Sequence, residues 1–209
     1  MKIHDISVKI EKNMMKYHSL RDVIHTFERD YSNGDNMALS SISMQMHLGT
    51  HLDSPYHYIK EGKRIDEIPL EKFCGEVQVI EINEKEIKAE DIKAKGLKCN
   101  KLLFKTPFSK DLNDKNKDAS LSYFSEDAAD YLADANVDLI GIDSFSIDRS
   151  GSKEKYVHKK ILGAGKVVLE GVNLYDIAEG FYYLYAFPLN IKGAEGAPCR
   201  AVLMEGELS

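Results

Sequence analysis

Residues 41–57 read SISMQMHLGTHLDSPYH, and the last eleven of them, His47 to His57, hold three of the chain's seven histidines and one aspartate around a Gly-Thr pair and a proline. The residues leading in alternate. Ile42, Met44 and Met46 fall on one side and Ser43, Gln45 and His47 on the other, the two-residue period of a half-buried strand. Were that strand to continue at ~3.3 Å per residue, His47 and His51 would stand about 13 Å apart. A helix brings His47 and His51 together but leaves Asp53 about 200° further round, and Gly49 and Pro55 oppose a helix interior. Only a bent backbone gathers all three side chains, with Gly49 supplying the permissive dihedrals and Pro55 stiffening the exit. The expected path is strand, turn, then loop.

His47, His51 and Asp53 form a ligand set suited to zinc or another divalent first-row ion, and three protein ligands leave a position open for water. Carboxylate in the set admits Mn²⁺ beside Zn²⁺. Such an ion lowers the pKa of water from about 15.7 to about 7 and polarises a carbonyl, which makes hydrolysis the natural chemistry. His57 stands apart from the three as a proton carrier, because an imidazole with a pKa near ~6.5 can both accept and return a proton. A lone histidine is better read as a local hydrogen-bonding group; three around an aspartate are better read as a metal site.

Working outward, apolar runs predict strands at IHDISV near the start, QVIEI (78–82), KLLF (101–104), VDLIGI (137–142), KVVLE (166–170) and CRAVLM (199–204). KAEDIKAKG predicts a helix ending at Gly96, and SEDAADYLADA one capped by Ser125 with acids in its first turn. The class is mixed α and β. Residues 11–36 are polar, give no clean period, end in SNGDN and leave room for a short helix. LNDKNKDAS (112–120) has loop composition. No linker or repeat divides the 209 residues, so one domain, 1–209, is expected.

The net charge of −6, with lysines scattered among acids, argues against a nucleic-acid partner. No apolar run approaches the ~20 residues that cross a bilayer, and MKIHDISVKIEKNMMKYH lacks a secretory apolar core, so a cytoplasmic protein without a membrane partner is expected. Cys74, Cys99 and Cys199 match neither zinc-ribbon nor redox spacing and are expected as small buried hydrophobes. GAGKVV (163–168) fails as a phosphate loop, since Lys160 stands where the first glycine is needed and Val167 follows Lys166 in place of Ser or Thr. No GxSxG elbow is present. Asp143 and Asp148 are expected to cap or turn the chain at a strand end, and Tyr56 and Arg200 to serve packing or the surface.

HLGTHLDSPYH resembles HxGTHxDxPxH, the signature of the metal-dependent cyclase family that includes bacterial kynurenine formamidases and isatin hydrolases. The similarity continues in GIDSFSIDR (141–149), HKKILGAGKVVLEGVNL (158–174) and PLNIKGAEGAPCRAVL (188–203). The resemblance implies that His47, His51 and Asp53 hold a first ion, and that Asp53 bridges to a second completed by His158 and Glu170. It implies His57 as catalytic acid and base, one or two Zn²⁺ ions, a swivelling β/β/α fold with a central sheet or barrel flanked by helices, and homodimers or larger oligomers. It also implies a small-molecule substrate whose amide C–N bond is cleaved, N-formylkynurenine or a cyclic amide. A lactone or cyclic imide presented to the same water is the alternative within enzymes; a non-catalytic metal- or ligand-binding protein is the alternative outside them. Many relatives carry a PGDP-like stretch near the N-terminus; here that region reads KNMMKYHSLRDVIHTFERDYSNGD, and the chain has no tryptophan, so the wall of the substrate pocket is expected to differ.

Overall fold

A computed structural model describes residues 2–116 and 120–206. In chain order the elements are β1 (Lys2–Asp5), β2 (Ile24–Arg29), β3 (Leu39–Ser43), β4 (His51–Asp53), β5 (Cys74–Glu81), β6 (Glu86–Ile87), α1 (Ala89–Lys95), β7 (Lys101–Lys105) and α2 (Phe108–Asn113). β8 (Tyr123–Phe124), α3 (Glu126–Asp134), β9 (Leu139–Ile142), α4 (Tyr156–Gly163), β10 (Val167–Glu170), β11 (Gly180–Tyr185), β12 (Gly196–Pro198) and β13 (Val202–Glu205) complete them.

The apolar runs LLF, LIGI and VVLE become β7, β9 and β10, which with β5 lie parallel in the middle of a nine-stranded sheet ordered β1-β13-β11-β5-β7-β9-β10-β4-β12. Strands buried on both faces must be apolar throughout, and here each face has its own core. Leu102, Phe104, Ile140, Ile142 and Val168 pack with α1, α3 and α4, while Leu103, Leu139, Val167 and Leu169 pack on the opposite side with Leu52, Leu184 and Leu203. The result is a mixed α/β fold in which a curled sheet closes around one core and carries its helices on the other face, as expected. Among the described residues no helix is long and apolar enough to cross a membrane.

The two helix expectations hold through their caps: Gly96 ends α1 with φ +71, and the Ser125 side chain accepts from Ala128 N at the start of α3. Four expectations change. Among described residues, 11–36 contains no α-helix but β2, whose Ile24, Thr26 and Phe27 suit a pleated ribbon, and a single 3₁₀ turn at Tyr31–Asn33. The alternation of 42–46 does not mark a half-buried strand. β3 stops at Ser43, pairs only with β2, and is exposed along its length because no layer covers that ribbon. His51–Asp53, expected as loop, is strand β4. The three cysteines are half-buried, and of them Cys199 packs against the core. The loop expected at 112–120 begins inside the last turn of α2, and its residues 117–119 lie outside the described residues.

Asp143, just after β9, is fully buried and accepts from Thr106 N (2.7 Å), Thr106 Oγ1 (2.7 Å), Ser109 N (3.1 Å) and Ser109 Oγ (2.7 Å), tying the start of α2 to the sheet. It caps, as the sequence suggested. Asp143→Ala strands these donors in a dry interior, and denaturant unfolding is expected to show a loss of about 3 kcal/mol; a loss below ~1 kcal/mol would mean that water or neighbouring groups replace the carboxylate. Lys166 is likewise structural, donating to Ala135 O (2.7 Å) and Val137 O (2.8 Å) beyond the end of α3, so GAGKVV cradles no phosphate.

Candidate metal centre

β4 and β10 are antiparallel neighbours, with Glu170 opposite His51 and Val168 opposite Asp53. Opposed residues share a face and alternate residues return to it, so His51, Asp53 and Glu170 crowd the helix-bearing side while Leu52 and Leu169 enter the far core. α4 packs on that same side through Val157, Ile161 and Leu162, and its third residue, His158, is thereby laid over the strand ends.

His47 arrives from before the bend. Gly49 has φ +74, the left-handed conformation its position demanded, and the chain turns so that the His47 and His51 ring centres lie 5.1 Å apart. Gly171, directly after β10, has φ +67, and a Cβ there would meet Gly49 O at 2.5 Å. The two glycines therefore let the ends of β4 and β10 that carry His51 and Glu170 close on each other. Thr50 fastens them, donating from Oγ1 to Gly171 O (2.6 Å) and accepting from Val8 N (2.8 Å).

The resulting cluster sets two buried carboxylates against two buried imidazoles. His51 Nδ1 donates to Gly49 O at 2.9 Å, and its Nε2 faces Asp53 Oδ1 and Glu170 Oε2, each 3.4 Å away. His158 Nδ1 is held by Asp148, and its Nε2 faces Glu170 Oε1 at 3.2 Å and Asp53 Oδ2 at 3.5 Å. Asp53 and Glu170 thus each turn one oxygen toward His51 and the other toward His158. His51 Nε2 and Asp53 Oδ2 are buried without a hydrogen-bond partner. A proton satisfies neither across such gaps. Donors ~2.1 Å from one tetrahedral ion stand about 3.4 Å apart, so the spacing fits a divalent cation between the rings and the carboxylates. Ligand atoms of His51, Asp53 and Glu170 all lie within 4.8 Å of one another, as do those of His47, Asp53 and His57.

The mutual proximity of these groups sets their titration. Burial alone would depress His51, yet Asp53 and Glu170 push its ring up to about 10, and His158 is raised well above its usual value by Asp148, Asp53 and Glu170 against the same burial. Burial would raise Asp53, but the neighbouring histidines hold it well below the carboxylate range; Glu170, also opposed by burial and by Asp53, is drawn to about 2 by His158 and His51. His57 goes the other way: burial takes it down to about 4.

All six residues singled out in the sequence, His47, His51, Asp53, His57, His158 and Glu170, meet in this one place. His47 reaches Asp53 Oδ1 through Nδ1 (2.7 Å) and Glu195 Oε1 through Nε2 (3.3 Å). His57 ends the 3₁₀ turn Pro55–His57 and stacks on His47, ring centres 4.1 Å apart. Tyr56 lies instead under the Arg64 guanidinium (3.8 Å), and Arg200 pairs with Asp5 (Nε to Oδ1, 2.8 Å).

Two partners escaped the sequence. Glu195 sits in a glycine-rich stretch with no local signal. Asp148 looked like a cap and is one, accepting from Val157 N (3.1 Å) and His158 N (3.3 Å), but the same carboxylate holds the His158 ring. A carboxylate on the distal nitrogen fixes the tautomer and aim of a ligating histidine. Asp148→Ala is expected to weaken divalent-ion binding 10–100-fold by roughly the usual cost of losing such a partner, measured by competition with a chelating dye. Wild-type affinity in that variant would show that α4 alone orients His158.

Beside the cluster lies a cavity of about 390 Å³, bordered by His47, His57, Tyr58, His158 and Glu170 and by Tyr17 to Leu20 of the N-terminal segment. The segment that departs from the family pattern is therefore part of the pocket wall.

Comparison with known proteins agrees with this geometry. The family described as "Putative cyclase" matches residues 4–149. The kynurenine formamidase of Salinibacter ruber is 35% identical over 170 residues, 80% of either chain. A solved structure described as a potential metal-dependent hydrolase with cyclase activity superposes with a TM-score of 0.83 at 30% identity, covering 99% of this chain and 98% of the other. Isatin hydrolase A from Labrenzia aggregata, at 24% identity and a TM-score of 0.82 over 99% of this chain and 94% of its own, shares the fold. With the family pattern matched over most of its length and the polar cluster formed at the strand ends, the chain belongs to the cyclase family.

Proposed function

We propose that this protein is a metal-dependent hydrolase that cleaves the amide C–N bond of an N-formyl aryl amine such as N-formylkynurenine. The observation that supports the metal dependence is the convergence of the His51 and His158 Nε2 atoms on the two buried carboxylates of Asp53 and Glu170 at 3.2–3.5 Å, with His51 Nε2 and Asp53 Oδ2 left without a hydrogen-bond partner. The amide specificity is supported by the likeness to kynurenine formamidases over four-fifths of the chain. His47, His51, Asp53, His158 and Glu170 hold one or two ions, with Zn²⁺ favoured by the imidazoles and Mn²⁺ admitted by the carboxylates. When bound, the ion supplies Lewis acidity toward water and toward the carbonyl.

The chain's own residues do the rest. Asp53 and Glu170 gather the charge, Asp148 and Gly49 O fix the rings of His158 and His51, and the cavity wall seats the aryl group. His57, at the cavity edge, takes a proton from the attacking water and returns it to the leaving nitrogen, so that formamide and water give a free arylamine and formic acid, which releases its proton to solvent as formate. Three unpaired cysteines suit a reducing cytoplasm. Ile24, Phe27, Leu39 and Ile42, exposed on a two-stranded ribbon that is marginal alone, support a homodimer or larger assembly of a single domain spanning 1–209.

The test is a panel of formanilides, isatins and lactones, offered to chelator-stripped protein reloaded with Zn²⁺ or Mn²⁺. Formate release that depends on the ion is expected. Hydrolysis confined to lactones would move the activity to C–O bonds, and no turnover of any of them would refute the proposal.

A further inference from the structure

The catalytic cavity has a second polar feature that hydrolysis does not use. Lys155 immediately precedes α4 and borders the cavity together with Tyr17. Its Nζ donates to Tyr17 OH at 3.3 Å and lies 5.4 Å from the centre of that ring; among the described residues it pairs with no carboxylate. An ammonium has only protons to give, so the Tyr17 oxygen is the acceptor in this contact and its own proton remains available to a ligand. Two convergent donors, one charged, therefore face a cavity of about 390 Å³, enough for one aromatic ring with a short chain.

The carboxylates of Asp53 and Glu170 face the rings of His51 and His158; Lys155 faces no carboxylate among the described residues. We infer that Lys155 and Tyr17 form an anion-recognition subsite that selects substrates carrying a carboxylate on a short arm from the aryl ring. This rests on the hydrolase proposed above and adds to it the residues that would recognise such a carboxylate. A carboxylate there receives charge-assisted bonds from both groups, and a neutral ester receives weaker ones.

Equilibrium binding tests it without turnover. Calorimetry on the Zn²⁺-loaded protein compares 4-oxo-4-phenylbutanoate with its methyl ester, in wild type, Lys155→Met, Lys155→Arg and Tyr17→Phe. Wild type is expected to bind the acid about tenfold or more tighter than the ester. Lys155→Met should erase that preference while leaving ester affinity within about twofold, Lys155→Arg should keep most of it, and Tyr17→Phe should reduce it. Equal binding of acid and ester by wild type, binding of neither, a preference that survives Lys155→Met, or an equal loss of both ligands in that variant would each overturn the subsite. Because no reaction is read, a wild type that selects the acid yet hydrolyses no formamide would remove the proposed activity and leave the subsite standing.

Discussion

His51→Ala is expected to yield a folded protein that no longer retains a divalent ion. His51 is almost fully buried, its distal nitrogen is committed to Gly49 O, and its other nitrogen has two carboxylate oxygens at 3.4 Å and nothing else to bond. On the proposed reading its imidazole, with Nε2 deprotonated, would be one of the donors to the ion held with Asp53 and Glu170. Structural zinc sites bind with roughly 10–16 kcal/mol from about four ligands, so one ligand removed should cost about 100-fold or more in affinity. Elemental analysis after gel filtration reads this directly. Thermal melting reads it independently, since an ion at about 100 times its dissociation constant adds about 2.7 kcal/mol to the wild type and should add almost nothing to the variant. Undiminished metal in His51→Ala would refute the assignment of this ring as a ligand.

His57→Ala is expected to do the opposite: keep the ion and lose turnover. His57 is anchored by the Pro55–His57 turn and packs against rings, 4.1 Å from His47 and 4.3 Å from Tyr58, at the border of the cavity. Losing a general acid and base costs about 10²- to 10⁴-fold in rate, which initial-rate measurements on a formanilide resolve easily. Since a His57 nitrogen also lies within 4.8 Å of the donors of His47 and Asp53, metal content must be measured on the same sample. Full activity refutes the proton-carrier role, and loss of the ion makes His57 a ligand instead.

The same residues show what can be read in one dimension. Runs such as LLF and VVLE announce buried strands because a strand covered on both faces has no position for a polar side chain. Ser125 and Gly96 announce helix ends because terminal N–H and C=O groups need local partners. β2 and β3 were not legible as an exposed ribbon, since exposure depends on whether another layer arrives to cover them. Asp148 was legible as a cap but not as the partner of His158, because that second bond forms only when α4 folds back over the strand ends.

From sequence alone it follows that His47, His51 and Asp53 require a bend at Gly49, since neither a strand nor a helix can converge them; the φ of +74 there is what that local geometry compels. Tertiary structure alone decides which carboxylate stands opposite His51. The antiparallel register of β4 and β10 carries Glu170 across 119 residues of chain to that position, and the crossing of α4 brings His158 above both. Local dihedrals are set by neighbouring side chains, whereas strand register and helix placement are set by burying apolar surface across the whole sheet, and no short stretch of sequence contains that balance.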